Sequence, residues 1–226
     1  MGITSSSVLV ELNMSVWSAN KLDRGETDKL TADNSAVRDA AQVRKNLMAG
    51  TSMRKDIEEL ASAARRIHTA RTLPWADRGA RLLPTSLFME YKAEMNKIRS
   101  QFYAMVDNFV DKYPALVQTA QNYMGGLFNP NDYPSADEIR TKFGFKLTFS
   151  PVPEAGDFRL DVPAADLIEL SSQYEDSFNT RMADAMKEPW ERLHKVLSHM
   201  SEKLTEQDTE ARRLYHDTLV SNAVDL

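Results

Sequence analysis

The chain has 226 residues, 42% of them apolar and 27% charged, with a net charge of −5. That balance belongs to a folded globular protein of ordinary solubility, and the acidic total gives no general attraction for nucleic acid. There is no cysteine, which excludes disulfides, thiolate nucleophiles, iron–sulfur clusters and cysteine-based zinc sites.

Eight glycines are few for a barrel, a sandwich or a Gly-rich nucleotide fold, all of which need many turns. A helix-rich chain is the better expectation. No apolar run reaches the roughly 18–20 residues of a membrane span. The first residues also lack the basic leader and cleavage site of a secretory signal.

SSVLVELNM alternates Val8, Val10 and Leu12, which predicts a short strand over residues 7–13 with one apolar face. The polar stretch after it predicts a short helix with loops. Residues 39–48 are ambiguous: Val37, Ala41, Arg44 and Met48 allow a helix, while Val43 and Leu47 blur its face. Thr51 or Ser52 can cap the next helix, whose stripe is Met53, Ile57, Leu60, Ala64 and Ile67. Pro74 and Gly79 then bound a rigid loop.

Thr85 is the expected N-cap of a long helix. Phe88, Tyr91, Met95, Ile98, Phe102, Met105 and Phe109 follow at alternating steps of three and four, a heptad seam held for about three heptads. Pro114 is expected to kink or break it, because proline lacks a donor and crowds the preceding turn. Ser135 and Glu138 form a capping-box pattern. Phe145, Leu147 and Phe149, then Phe158, Leu160 and Val162, predict a β-hairpin with strands near 145–150 and 157–162.

The last element carries a second seam. It comprises Leu167, Leu170, Tyr174, Phe178, Met182, Met186, Leu193, Leu197, Met200 and Leu204, with Pro189 interrupting it. Leu214, Thr218 and Leu226 suggest a further helix. The helical pattern is still running where the sequence stops, as in a chain that continues further.

These elements predict a predominantly helical α+β protein. Its helical core lies at about 53–125 and 163–226, in one elongated domain over 1–226. Two long helices pair in coiled-coil fashion and bury each other's seams. A small antiparallel sheet joins 7–13 to the hairpin within 145–162.

Little in the sequence points to chemistry. No phosphate loop, dinucleotide glycine pattern or nucleophile elbow occurs. Glu191 and His194 have the spacing of half a carboxylate–histidine metal site in a helical bundle, but a second copy is missing. They read better as a solvated face, and His68 and His216 as isolated surface or cap residues. The expectation is a protein without catalytic residues, metal or cofactor.

One segment has two sharp readings. Between Arg65 and Arg81 stand five arginines against a single acid, Asp77. Arg65, Arg66, Arg71, Arg78 and Arg81 could neutralise phosphates while Trp75 stacks on a base, giving a single-stranded nucleic-acid site. The other reading has the arginines pair with acids of the C-terminal helices while Trp75 and Leu73 fill the core.

VELNMSVWSANKLD, TLPWADRGARLLP, FSPVPEAGDFRLDV and MKEPWERLHKVLSHMSEKL together resemble a family of phage-encoded proteins, common in marine phages, that carries only a domain-of-unknown-function label. The resemblance covers nearly the whole chain. It implies a phage origin and action in the cytoplasm of the bacterial host, and brings no catalytic residues. Genes of this kind are similar in context to those near MoxR-type AAA+ ATPases and von Willebrand A-like partners. An adaptor, client or oligomeric scaffold working through a protein partner or self-association is therefore the expectation. The family also extends further at the C-terminus.

Overall fold

The computed structural model describes residues 6–76, 79–153 and 164–205. The protein is mostly helical with a small antiparallel sheet. Its strands and helices, in chain order, are β1 (Ser7–Ser15), β2 (Asn20–Asp23), α1 (Arg24–Asp33), β3 (Val43–Asn46) and α2 (Met53–Arg71). Then come β4 (Leu73–Pro74), β5 (Arg81–Pro84), α3 (Phe88–Met124), α4 (Ala136–Thr141), β6 (Gly144–Pro151) and α5 (Ala164–Thr205). The strand expected at 157–162 and the helix expected after 205 lie outside the described residues.

The chain divides into two compact units. One comprises Met1–Leu12, Arg66–Lys92 and Leu147–Leu226; the other comprises Asn13–Arg65 and Ala93–Lys146.

The first unit is built on a sheet of order β4-β5-β1-β6. β1 and β5 run antiparallel with Leu9 opposite Leu82, and β4 pairs β5 with Leu73 opposite Leu82. The rigid loop expected around Pro74 and Gly79 is thus framed by two short strands. Leu9 and Val10 are both buried, as are Leu82 and Leu83. Adjacent residues point to opposite faces of a strand, so both faces of the sheet are covered here. The single apolar face expected for β1 is corrected on this point. One cover is α5: Phe178 and Met182 pack on a cluster of Leu9, Trp75, Leu82, Val152 and Ala185.

In the second unit β2 and β3 form an antiparallel ribbon, Asn20 opposite Asn46. The sequence left 39–48 open to a helix. The structure makes it a turn followed by a strand, because Leu47 and Met48 are buried side by side and Lys45 faces inward. Ile57, Ala61 and Ala64 form the inner stripe of α2. Trp17 lies edge-on to Tyr113 at 6.0 Å and also packs on Phe109, which meets Phe143 at 5.7 Å.

Helix α3 runs 37 residues with Pro114 inside it, so of the kink or break expected there the break does not occur. Its buried face is also not a heptad seam. Tyr91, Met95, Ile98, Phe102, Val106, Phe109, Tyr113, Ala120 and Met124 are buried, while Met105 is only half-buried. Tyr91, Phe102, Tyr113 and Met124 recur every eleven residues. That is about 3.67 residues per turn, close to a straight α-helix, whereas a strict seven-residue repeat would impose a left-handed supercoil. Phe88 is half-buried and meets Phe149 edge-on at 5.0 Å.

Two caps behave differently. Ser135 and Glu138 form a full capping box on α4. Thr85 instead opens a 3-10 turn and donates its hydroxyl to the Ser6 carbonyl at 3.0 Å.

Candidate functional site

Three side-chain clusters stand out among the described residues: a guanidinium cluster at the end of α2, a buried ionic cluster at the β2–β3 ribbon, and an apolar face on α5.

The last carbonyls of a helix have no partner within it. At the end of α2 two arginines supply the donors. Arg192, on α5, donates to the carbonyls of Thr69 at 2.8 Å, Ala70 at 2.9 Å and Thr72 at 3.1 Å. Arg81, on β5, donates Nε to the Thr72 hydroxyl at 2.7 Å and a second N–H to the Thr72 carbonyl at 3.0 Å. Glu188 sits between the two guanidiniums, 2.6 Å from Arg192 and 3.6 Å from Arg81. The positive groups also suit the negative end of the helix dipole.

His68 lies one turn back in α2, buried, with Nδ1 2.7 Å from the Tyr91 hydroxyl. Burial, and then the positive charge of Arg81, push its pKa down to about 4. The expectation of a surface or cap histidine is therefore corrected for His68. The imidazole stays neutral at ordinary pH, enclosed with the Tyr91 hydroxyl that it meets. This cluster fastens α5 to α2 and β5; it contains no exposed acid–base pair.

The second cluster centres on Lys45, whose ammonium is 2.6 Å from Asp132 and 3.1 Å from Asp23, and donates to the Leu127 carbonyl at 3.3 Å. Lys21 also reaches Asp132, at 3.0 Å. The hydrogen bond to Asp132 raises the Lys45 pKa against the opposing effect of burial. For Asp132 burial acts upward, but the hydrogen bonds from Lys45 and Lys21 outweigh it and the net shift is downward. Both partners stay charged. Lys45 is held as a cation and cannot serve as an amine nucleophile.

The arginine segment is distributed between these features. Trp75 is 6% exposed and lies edge-on to Phe178 at 5.4 Å, so its ring is not available to stack on a base. Leu73 packs against the same core. Arg81 pairs with Glu188 of the C-terminal helix, and Arg71 with Glu90 at 3.1 Å. Arg65 is exposed and donates to the Met14 carbonyl at 3.3 Å. Arg66 is exposed, and Arg78 lies outside the described residues.

Helix α5 has two apolar faces where one seam was expected. Leu170, Tyr174, Phe178 and Met182 are half-buried, and Phe178 and Met182 face the sheet cluster together with buried Ala185. Beyond Pro189 the buried line passes to Arg192. Met186 at 50%, Trp190 at 70% and Leu197 at 52% exposure lie outward, with half-buried Leu193 between them. Within its own unit α5 packs on the sheet, while Phe102 and Phe109 of α3 meet Phe145, Phe143 and Trp17 in the other unit.

Glu191 and His194 sit on the exposed side of α5. Glu191 pairs with Lys187 at 3.1 Å, and His194 is 3.5 Å from the Ser198 hydroxyl. Among the described residues no group of three or more His, Asp or Glu is placed to hold a metal ion, and no helix is long and apolar enough to cross a membrane.

Sequence reasoning missed the Arg192 cap, the His68–Tyr91 pair and the Lys45 cluster. The first had a local signal, since Glu188 and Arg192 stand four apart. The others join residues 23 and 87 positions apart, for which no short spacing exists. Comparison with family models, curated proteins and solved structures finds no match for this chain.

Proposed function

We propose that this protein works through protein–protein contact and that the outward face of α5 is its docking surface. The observation that carries the reading is Trp190. It is 70% exposed, in line with Met186, Leu193 and Leu197 at steps of four, three and four. An aromatic anchor within an aliphatic stripe is the usual centre of a protein interface. The clusters described above hold helices together and offer no reactive group to a substrate.

The resemblance to phage proteins encoded near MoxR-type ATPases supports an adaptor or client role in the cytoplasm of a bacterial host. A photo-reactive amino acid at position 190 tests the docking reading in bacterial cells, with one at Met89, 74% exposed, as control. A discrete protein adduct from position 190 and none from 89 is expected. No protein adduct would overturn the reading, and adducts to nucleic acid would favour a single-stranded nucleic-acid role for Arg65 and Arg66.

A further inference from the structure

We draw no further inference here: the strongest candidate, the outward apolar face of α5 around Trp190, belongs to the docking surface already described, and nothing in the structure shows what covers it.

Discussion

Nδ1 of His68 and the hydroxyl of Tyr91 lie 2.7 Å apart, two buried polar groups on α2 and α3 that satisfy each other. Their pairing makes the fold sensitive to acid. The His68 pKa falls from 6.5 to about 4, chiefly through burial. The unfolded chain therefore binds a proton at this site more readily than the folded one. The contribution is complete above pH 6.5 and is lost as the pH falls from there through 4. Its size is on the order of 2 kcal/mol once partial access of water is allowed for. Urea midpoints measured across this range should slope downward toward acid, and His68→Gln should flatten the slope. Tyr91→Phe should cost about 1–2 kcal/mol by stranding the imidazole nitrogen.

Lys45 is enclosed by two carboxylates, so removing it leaves charge without compensation. Lys45→Ala should destabilise the protein by about 2–3 kcal/mol, read as a shift in the denaturation midpoint. Pairing Lys45→Met with Asp132→Leu should recover most of that loss, because neither charge is then stranded. A double variant no more stable than Lys45→Ala would show that the pair itself, rather than the uncompensated carboxylate, carries the stability.

Gly50 has φ of +82°, and a Cβ there would lie 2.6 Å from ring atoms of Tyr123. Tyr123 is 64% exposed, so its ring can swing aside. The backbone cannot, and an L-residue in this conformation costs about 1–2 kcal/mol. Gly50→Ala should lower Tm by a few degrees. Adding Tyr123→Ala should recover only the clash and leave the backbone part.

Arg192 donates to three carbonyls at the end of α2. A lysine has no planar fork and cannot reproduce that set. Arg192→Lys should therefore behave nearly like Arg192→Gln. In both, amide exchange in α5 should rise before that of the sheet, while Arg66→Gln leaves both unchanged.

Much of the helical architecture was legible in the sequence, and the reasons are local. The capping box at Ser135 and Glu138 is a three-residue pattern, and the stripes of α2 and α3 are strong. Yet sequence spacing assigned Met105 to the α3 seam where the structure buries Val106. A three-four step and a four-three step differ by one residue, and only the facing side chains choose between them. Val106→Ala should accordingly destabilise more than Met105→Ala, by about 1 kcal/mol. β4 was missed because two residues, one of them a proline, carry no periodicity; they become a strand only when Leu73 meets Leu82. The nucleic-acid reading of Trp75 faltered for a related reason. Arginines on either side of it look like a basic patch until Glu188 and Glu90 arrive from elsewhere in the chain. The outward row on α5 was legible as apolar, but not as unshielded, because periodicity records a face and not what covers it.

The eleven-residue recurrence of Tyr91, Phe102, Tyr113 and Met124 constrains how α3 can change length. In a straight helix eleven residues overshoot three turns by about 20°, and seven fall short of two turns by a similar angle. A change of either length nearly restores the azimuth of every later side chain, whereas a change of one or two would carry the aromatic rings into solvent. Length variation in α3 should therefore be quantised, with near-whole turns of seven or eleven residues as its tolerated steps.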